Sequence, residues 1–500
     1  MIEDIIKAVL QKLNQKYTNE LRSLFIPDEN YSSIKSLLKV DSREVRAIGI
    51  WGMGGIGKTT LAAAIFQKVS PIYDRSCFLE NVTEESKRHG LSYTYNRLVS
   101  KLLGEDIGID TPKVISSMVM KRLKRMKAFI VLDDVHTLEL LENLIGVGHD
   151  CLGAGSRVIV TTRDKHVLIG GGINEIHQVK EMNSQNSVRL FSLNAFKKIL
   201  PNEGYEEISN NVVSYAKGHP LALKVLGSFL RTKSKKEWDS ALNKLKEIPN
   251  AEIQKVLRLS YDELDDTEKN IFLDIACFFE GCGSISRVTE ILNACEFFAD
   301  IGIRNLVDKA LVTITSNNHI HMHDLIKEMG REIVREKSIK NPGQRSRLWN
   351  AGEICDVLTN NNVRMIYTLT CIPKNMYIDI TTTYHEVLTL ILIFIYQGTS
   401  AVESIYLDMD QISCINLSSK AFTHMPNLRL LDFEGHNRDV KGINSVHLPG
   451  GLDFLPNNLR SFGWSAYPLN SLPSNFSPWN LVELHLRYSN LEKLWNGAQV

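Results

Sequence analysis

The chain has 500 residues, and at roughly 150 residues per domain this length indicates about three domains. Hydrophobic residues make up 43% and charged residues 23%, which is typical of a globular protein. Lys and Arg number 58 against 57 Asp and Glu, so the formal net charge is +1. This balance argues against a protein whose main task is to wrap nucleic acid, and also against an acidic disordered chain.

Cysteine usage and the apolar runs indicate a cytoplasmic or nucleo-cytoplasmic protein. Eight cysteines are too sparse for a disulfide scaffold, and none forms a C-x-x-C pair or a zinc-site spacing. The N-terminal sequence has no continuous apolar core, so it is not a secretory signal. The longest apolar run, at 388–396, is far shorter than the roughly 20 residues that a membrane span needs.

Short apolar runs alternate with helical patterns in the first third of the chain, after an amphipathic helical pattern at 2–16. The strand-like runs are 45–52, 77–82, 128–135 and 156–164. Such alternation is typical of a parallel sheet that helices cover on both faces. We therefore predict an α/β domain at about 41–175, preceded by a linker segment at 1–40.

Helical periodicity dominates the middle of the chain. Residues 176–258 show only helical patterns, whereas 259–360 add one short β-like segment at 310–325. Helices with a two-stranded ribbon suit a winged-helix domain. The Pro-Gly pair in NPGQRSRLW, at 341–349, predicts a surface loop.

Leucines in the last hundred residues follow the leucine-rich-repeat template, so we predict a repeat array at 398–500. The best match has its leucines at Leu481, Leu484, Leu486 and Leu491. Weaker relatives lie at 427–433 and 458–464, and the irregular spacing between leucines is 31 residues from Leu428 to Leu459 and 22 from Leu459 to Leu481. No terminal cap follows, so we expect a truncated solenoid.

The sharpest motif is GMGGIGKTT, a G-x-x-x-x-G-K-[ST] P-loop between a strand and a helix. Its glycines let backbone N–H groups cradle phosphate oxygens, and the positive end of the helix dipole adds to this. Lys58 is expected to reach the β- and γ-phosphates and Thr59 to bind Mg²⁺. The alternative is a purely structural glycine turn. The candidate nucleotide-binding residues are Gly52, Gly54, Gly55, Gly57, Lys58, Thr59 and Thr60.

Two further strand ends supply candidate catalytic residues. FIVLDD predicts a Walker B strand, in which Asp133 holds Mg²⁺ and Asp134 positions a hydrolytic water. VIVTTRD ends the next strand with Arg163, which is placed to contact the γ-phosphate. A buried strand with an acidic turn remains the alternative for Asp133 and Asp134. Ligands bind at the carboxyl ends of parallel strands, which favours the Walker B interpretation.

These elements, in this order, resemble the nucleotide-binding region of plant disease-resistance proteins and apoptotic protease-activating factors, and more closely the plant TIR-NBS-LRR resistance proteins. The resemblance covers roughly 1–362 and 398–500. Its further motifs are GSRVIVTTRD, GHPLAL, IFLDIACFFEG and MHD. It implies an α/β P-loop nucleotide-binding domain (41–175), a helical ARC subdomain (176–258), a winged-helix ARC subdomain (259–360) and the start of a leucine-rich-repeat solenoid (398–500).

The resemblance also implies roles for three residues outside the P-loop. Pro220 should pack near the adenine. His323 should contact the β-phosphate of ADP and so latch the winged helix over the nucleotide, and Asp324 should support that latch. From the residues alone, His319, His321 and His323 alternate along one predicted strand face, which leaves a metal site or a solvated face open.

The chain departs from the resemblance at several places. His219 and His136 stand where the family often has Leu and where the TIR subgroup usually has Asp. We expect a TIR domain, and the NAD-cleaving activity attributed to it, to be missing. Residues 363–397 match nothing in the family pattern, and their ends can be coded like splice signals. A retained intron is our hypothesis, and a genuine loop with a buried strand is the alternative.

The resemblance implies an ADP/ATP-binding molecular switch of plant innate immunity, off with ADP and on with ATP, using Mg²⁺ and hydrolysing ATP slowly at most. Its repeats would sense a pathogen effector or a guarded host protein. Self-association or pairing with full-length resistance proteins is expected, but neither nucleic acid nor a membrane span. The alternatives are a working P-loop ATPase and a repeat-based binding or adaptor fragment with an inactive nucleotide site.

Overall fold

The computed structural model describes residues 28–105, 117–146, 152–279, 283–360, 399–435 and 446–495. The chain divides into two compact units. Unit 1 comprises Met1–Glu263, Leu306–Val312 and His323–Leu325, and unit 2 comprises Leu264–Asn305, Thr313–Met322 and Ile326–Val500. The predicted helix at 2–16 and the segment 363–397 lie outside the described residues.

Unit 1 contains a five-stranded sheet and a series of helices. Its strands are β1 (Arg46–Trp51), β2 (Arg75–Leu79), β3 (Ala128–Leu132), β4 (Arg157–Thr162) and β5 (Glu175–Gln178). Its helices before and within the sheet region are α1 (Asp28–Leu38), α2 (Lys58–Val69), α3 (Val82–His89), α4 (Leu91–Leu103), α5 (Ser117–Leu123), α6 (Leu138–Ile145) and α7 (Lys165–Gly170). The helices that follow the sheet are α8 (Ser184–Ala195), α9 (Glu206–Ala216), α10 (Pro220–Leu230), α11 (Lys235–Glu247) and α12 (Ala251–Asp262).

The sheet of unit 1 confirms the predicted parallel α/β architecture. Its strand order is β2-β3-β4-β1-β5, and every neighbouring pair is parallel. All residues of β3 and β4 are buried, which requires cover on both faces and explains why these strands are continuous apolar runs. Because parallel strands end at one edge, the P-loop after β1, Asp133 after β3 and Arg163 after β4 lie on that edge.

Two features of this unit were not predicted. The edge strand β5 has the sequence EIHQ, whose single aliphatic residue gives no strand signal. Arg157 is fully buried within β4, where arginine is rare. Its guanidinium donates to the carbonyl oxygens of Leu38, Lys39, Ser42 and Glu44, which fastens the segment after α1 to the sheet.

Unit 2 contains a helical region with a β-hairpin, followed by a parallel sheet. Its helices are α13 (Asp266–Asp274, continued as a π-helix over Ile275–Phe279), α14 (Ile285–Ala294), α15 (Ala299–Asp308, whose last three residues count with unit 1), α16 (Asp324–Glu336, whose first two do) and α17 (Ala351–Asn360). Its strands are β6 (Thr313–Ile314), β7 (Ile320–His321), β8 (Arg347–Leu348), β9 (Ser404–Asp408), β10 (Ile415–Asn416), β11 (Leu430–Glu434), β12 (Val446–His447), β13 (Ser461–Trp464) and β14 (Glu483–His485). The hairpin β6–β7 is antiparallel, as the β-like segment at 310–325 predicted.

The repeats form the parallel sheet β14-β13-β11-β9-β8 over a core of leucine and aromatic side chains. The irregular leucine spacing is retained in the register. Leu430 pairs with Ser461 and Ser461 with Glu483, so the steps are 461 − 430 = 31 and 483 − 461 = 22 residues. The strands therefore stay aligned, and the connections absorb the difference in length.

The prediction of a surface loop at 341–349 was wrong beyond its first residues. The Pro-Gly pair does form a short 3₁₀ turn at Pro342–Gln344, but Arg345 and Arg347 are buried and β8 pairs with β9 at the edge of the repeat sheet. The buried arginines have carboxylate partners, since Arg345 contacts Glu353 and Arg347 contacts Asp274. Carboxylate partners outside the segment therefore allow its arginines to be buried.

Candidate functional site

The P-loop connects β1 directly to α2, as its mechanism requires. Gly57 is the N-cap of α2 and has a φ of 102°, in the region that L side chains rarely adopt. Gly55 also has a positive φ, and a Cβ atom there would lie 2.8 Å from the His219 ring and from the Leu221 side chain. At Gly55, both the backbone conformation and the available space thus require glycine.

Lys58 is buried under the loop. Its Nζ donates hydrogen bonds to the carbonyl oxygens of Gly52, at 2.8 Å, and Met53, at 2.9 Å. Burial, reinforced by the positive charge of Arg163, lowers the pKa of Lys58 to about 7. A phosphate close to this amine would favour its charged form, so the site is suited to an anion.

Thr59 and Asp133 lie together at the carboxyl edge of the sheet. Their side chains share a hydrogen bond, and the Thr161 hydroxyl donates to Asp133 Oδ1 at 2.6 Å. Burial raises the pKa of Asp133, while these two hydrogen bonds act in the opposite direction. A hydroxyl beside a carboxylate is an oxygen donor set of the kind that Mg²⁺ takes in nucleotide sites. The fold thus brings together the two residues predicted to bind the metal.

The Asp134 carboxylate has two cationic neighbours. His136 Nε2 lies 3.0 Å and Arg163 Nε 3.8 Å from Asp134 Oδ1, and His136 Nδ1 lies 3.2 Å from Glu263 Oε1. Burial would raise the pKa of Asp134, but His136 and then Arg163 hold it below its ordinary value. Burial would lower the pKa of His136, but its two carboxylate partners raise it to about 9. His136 is therefore protonated at neutral pH and donates from both ring nitrogens.

Helix α12 packs against the same edge of the sheet. Arg163 Nη1 donates to the carbonyl oxygen of Val256, in the middle of the helix, at 3.0 Å. Glu263, directly after the helix, contacts Lys309 at 3.2 Å, and Lys309 contacts Asp164 at 3.4 Å. Arg163, predicted as a γ-phosphate contact, thus binds α12 here, and the helix is fixed at its middle and at its end.

Pro220, predicted to pack near the adenine, is the first residue of α10. Its fixed φ suits that position. It lies against the P-loop, because its Cγ is 4.0 Å from the place that a Cβ of Gly57 would take. The next residue, Leu221, donates its backbone N–H to the carbonyl oxygen of Gly55 at 3.3 Å. The start of α10 therefore lines the phosphate loop.

His323 and Asp324 both contact the turn before α10. The Nε2 atom of His323 lies 3.3 Å from the carbonyl oxygen of Lys217, and its Nδ1 accepts from the backbone N–H of Leu325. The Asp324 carboxylate lies 3.4 Å from Lys217 Nζ. The His323 ring also meets the His219 ring edge-on, with 5.8 Å between centroids. The predicted latch is hence connected to the residues that line the P-loop.

The three alternating histidines do not share one strand face, as the pattern had suggested. The strand covers only Ile320–His321, and His323 lies beyond it. His319 and His321 are exposed and count with unit 2, whereas His323 counts with unit 1. In the part of the chain that the structure describes, no group of three or more His, Cys, Asp or Glu side chains is placed to hold a metal.

The residues fit a Mg²⁺–nucleotide. The P-loop leads into the N-terminus of α2 with the buried amine of Lys58 beneath it, and the Thr59–Asp133 pair supplies oxygen ligands for a metal. Sequence reasoning found the local motif residues. It noted His136 and His219 as departures from a family pattern but gave them no role, although those departures were the available signal.

Comparison with known proteins identifies the domains. The NB-ARC domain model matches residues 29–200, the winged-helix domain model of Roq1-like disease resistance proteins matches 265–338, and a leucine-rich-repeat model matches 480–499. The chain therefore contains an NB-ARC domain, a winged-helix domain and a leucine-rich repeat, and it is similar to plant disease resistance proteins along nearly its whole length. This confirms the resemblance, and it agrees with the observed parallel sheet, helical region, winged-helix hairpin and first repeats.

Three relatives show the extent of the similarity. Disease resistance protein RUN1 of Vitis rotundifolia is 39% identical over 99% of this chain and 36% of its own length. TMV resistance protein N of Nicotiana glutinosa is 37% identical over 100% of this chain and 39% of its own length. Disease resistance protein RRS1B of Arabidopsis thaliana is 37% identical over 93% of this chain and 32% of its own length. The chain spans about a third of the length of these relatives.

A membrane-crossing helix is not found among the described residues: none of their helices is both long and apolar enough.

Proposed function

We propose that this NB-ARC chain is an ADP/ATP-dependent switch in plant disease-resistance signalling, off with ADP and on with ATP, and that Mg²⁺ accompanies the nucleotide. The observation that carries the proposal is the convergence of three parts within unit 1. These are the P-loop, the Thr59–Asp133 pair and the segment 323–325, which contacts the turn beside the P-loop. A nucleotide in this loop would lie next to the segment whose position it has to control.

Each candidate residue has a specific task in this proposal. The P-loop N–H groups and Lys58 bind the phosphates, and Thr59 and Asp133 hold Mg²⁺. Pro220 packs near the adenine, and His323 contacts the β-phosphate of ADP. A switch requires that the two nucleotides stabilise different states, because a ligand shifts an equilibrium only by its differential affinity. The γ-phosphate of ATP, which ADP lacks, supplies that difference.

The contacts of Asp134 and Arg163 favour slow hydrolysis. Asp134 is engaged by His136, and Arg163 by the Val256 carbonyl oxygen. In this arrangement neither group is available to orient a water molecule or to stabilise charge on a γ-phosphate. This supports a switch that is reset slowly, rather than a motor.

Partners and location complete the proposal. The repeats would act as the sensor for a pathogen effector or a guarded host protein, and the chain would self-associate or pair with other resistance proteins. It would act in the cytoplasm, with access to the nucleus. The leucine-rich-repeat match and the resistance-protein relatives support the sensor role.

Nucleotide binding is tested by comparing Lys58→Arg with Lys68→Arg. Both residues lie on α2, but Lys58 is buried under the P-loop and Lys68 is exposed. The bulky guanidinium at position 58 should abolish ADP binding measured by isothermal titration calorimetry, and the exposed substitution should leave it unchanged. Normal ADP affinity in Lys58→Arg would contradict the phosphate placement. An unmodified chain that binds neither nucleotide would support an inactive site instead.

A further inference from the structure

His219 is fully buried between the P-loop and the latch, at a position where a polar ring needs specific partners. As N-cap of α10, its Nδ1 accepts the backbone N–H of Ala222 at 3.3 Å. Its Nε2 lies 2.8 Å from the carbonyl oxygen of Gly54. Both ring nitrogens are thus engaged, one by the helix and the other by the phosphate loop.

The hydrogen bonds of His219 determine its tautomer. Burial lowers the pKa of His219 to about 3, so the ring is neutral at physiological pH and carries one N–H. Since Nδ1 accepts from Ala222, the proton is on Nε2, which donates to Gly54. Leucine at this position could fill the same space, but it could not hold the carbonyl group.

The bond to Gly54 fixes the direction of a P-loop peptide. In a trans peptide the C=O and the following N–H point in opposite directions. With the Gly54 carbonyl held by His219, the N–H of Gly55 points away from the start of α10. The Gly55 carbonyl is held in turn by the N–H of Leu221, while the N–H of Ile56 closes a turn onto the carbonyl oxygen of Met53. A loop N–H group oriented like that of Gly55 is of the kind that lines an anion-binding concavity.

We propose that His219 is a positioning residue of the nucleotide site, which orients the Gly54–Gly55 peptide for phosphate binding. The inference rests on the proposed nucleotide binding and assigns a task to a residue that the family comparison leaves without one. The edge-on contact of His219 with His323 places this task next to the latch.

Two isosteric substitutions separate positioning from simple helix capping. In His219→Gln the side-chain amide reaches the place of Nε2 and can donate to Gly54, but glutamine is a poor N-cap. In His219→Asn the side-chain oxygen takes the place of Nδ1 and caps α10 well, but the amide cannot reach Gly54. If His219 positions the loop, His219→Gln should retain ADP binding and His219→Asn should lose it. If His219 only caps α10, the order should be reversed.

The experiment measures the Kd of a fluorescent ADP analogue, the melting temperature and the hydrogen–deuterium exchange of segment 52–58 without nucleotide, all on the full chain. We expect His219→Asn to weaken ADP binding about tenfold, in line with one lost buried hydrogen bond. The Kd of His219→Gln should stay within about threefold of that of the unmodified chain. Hydrogen–deuterium exchange in segment 52–58 should be faster in His219→Asn than in the unmodified chain, and unchanged in His219→Gln.

The inference would be overturned if His219→Asn bound ADP as tightly as the unmodified chain, or if His219→Gln bound ADP more weakly than His219→Asn. The exchange measurement needs no nucleotide. If the unmodified chain bound no ADP but exchange in segment 52–58 rose only in His219→Asn, the proposed function would fail. The positioning of the loop by His219 would still stand. If exchange were the same in all three chains, the positioning role would fail, whatever the unmodified chain binds.

Discussion

Lys58 links nucleotide binding to pH. Its pKa of about 7 in the nucleotide-free chain reflects burial and the charge of Arg163, and phosphate oxygens would raise it again. Binding therefore takes up a proton above pH 7. We expect the Kd for ADP to increase between pH 7 and pH 9, by up to about tenfold per pH unit, in fluorescence titrations at constant ionic strength. A Kd that is flat over this interval would contradict the assigned environment of Lys58.

His136 makes the stability of unit 1 depend on pH. Its pKa is raised to about 9 by Asp134 and Glu263, from an ordinary value near 6.5. Its contribution to the free energy of unfolding is thus fully present below pH 6.5 and is lost as the pH rises through 9. The pKa difference corresponds to at most about 3 kcal/mol.

The substitution His136→Gln tests this contribution. The melting temperature of the unmodified chain should exceed that of His136→Gln clearly at pH 6, and the gap should narrow by pH 9.5. His166→Gln is the matched control, since His166 is an exposed histidine of the same unit. A gap that stays constant across this range would show that His136 acts by packing rather than by charge.

At the residue scale, the sequence predicts what is local and misses what depends on distant partners. The P-loop residues follow one another, so their spacing alone carries their chemistry. His136 acquires its role from Glu263, which is 127 positions away, and His219 from Gly54, which is 165 positions away. Only the fold brings these pairs together, and without it both histidines look like neutral exchanges.

The turn between α9 and α10 connects two elements of the site, the latch at His323 and Asp324 and the phosphate loop. Lys217 adopts a left-handed conformation there, with a φ of 48°, and so presents its carbonyl oxygen to His323. Its side chain pairs with Asp324 at 3.4 Å. Because both side chains of this pair are about half exposed, the pair contributes at most about 1 kcal/mol to stability.

The substitution Asp324→Val should shift the bound population from ADP toward ATP, by up to about fivefold, since it weakens the contact between the start of α16 and the turn. Chromatography of nucleotides extracted from the purified chain gives the ratio. Lys217→Gln removes the other half of the pair and should shift the ratio in the same direction. An unchanged ADP:ATP ratio in Asp324→Val would remove the latch role from this segment.

Apolar runs predicted the central strands correctly, because a parallel strand that is buried on both faces consists mainly of apolar residues. Strand β3 is entirely buried, and its sequence AFIVL shows it. Strands β5 and β8 were missed because they are short, polar edge strands, whose positions are set by pairing partners rather than by their own hydrophobicity. Strand β8 additionally depends on ion pairing inside unit 2, which no local pattern announces.

At the scale of the whole molecule, a buried ionic cluster joins the winged-helix region to the repeats within unit 2. Asp274, at the end of α13, is fully buried and contacts Arg347 at 2.8 Å and Arg429 at 2.7 Å. Burial would raise the pKa of Asp274, but the two guanidinium groups hold it below its ordinary value. Arg347 lies in β8 and Arg429 directly precedes β11. The Asp274 carboxylate therefore connects α13 to both strands.

The substitution Asp274→Asn should destabilise unit 2 by about 3–5 kcal/mol, because it leaves two buried guanidinium groups without their main counter-charge. Chemical denaturation followed by circular dichroism measures the loss. Asp356→Asn, at an exposed position of α17 in the same unit, should change stability by less than about 0.5 kcal/mol. A loss below about 1 kcal/mol in Asp274→Asn would show that the cluster does not support this connection.

The nucleotide-dependent switch is tested by identifying the nucleotide that copurifies with the chain and measuring its turnover. We expect ADP at about one molecule per chain and ATP hydrolysis far below one per second, because Asp134 and Arg163 are engaged by His136 and Val256. Rapid ATP turnover would instead indicate a working ATPase, and a nucleotide-free chain that takes up neither ADP nor ATP would contradict the switch altogether.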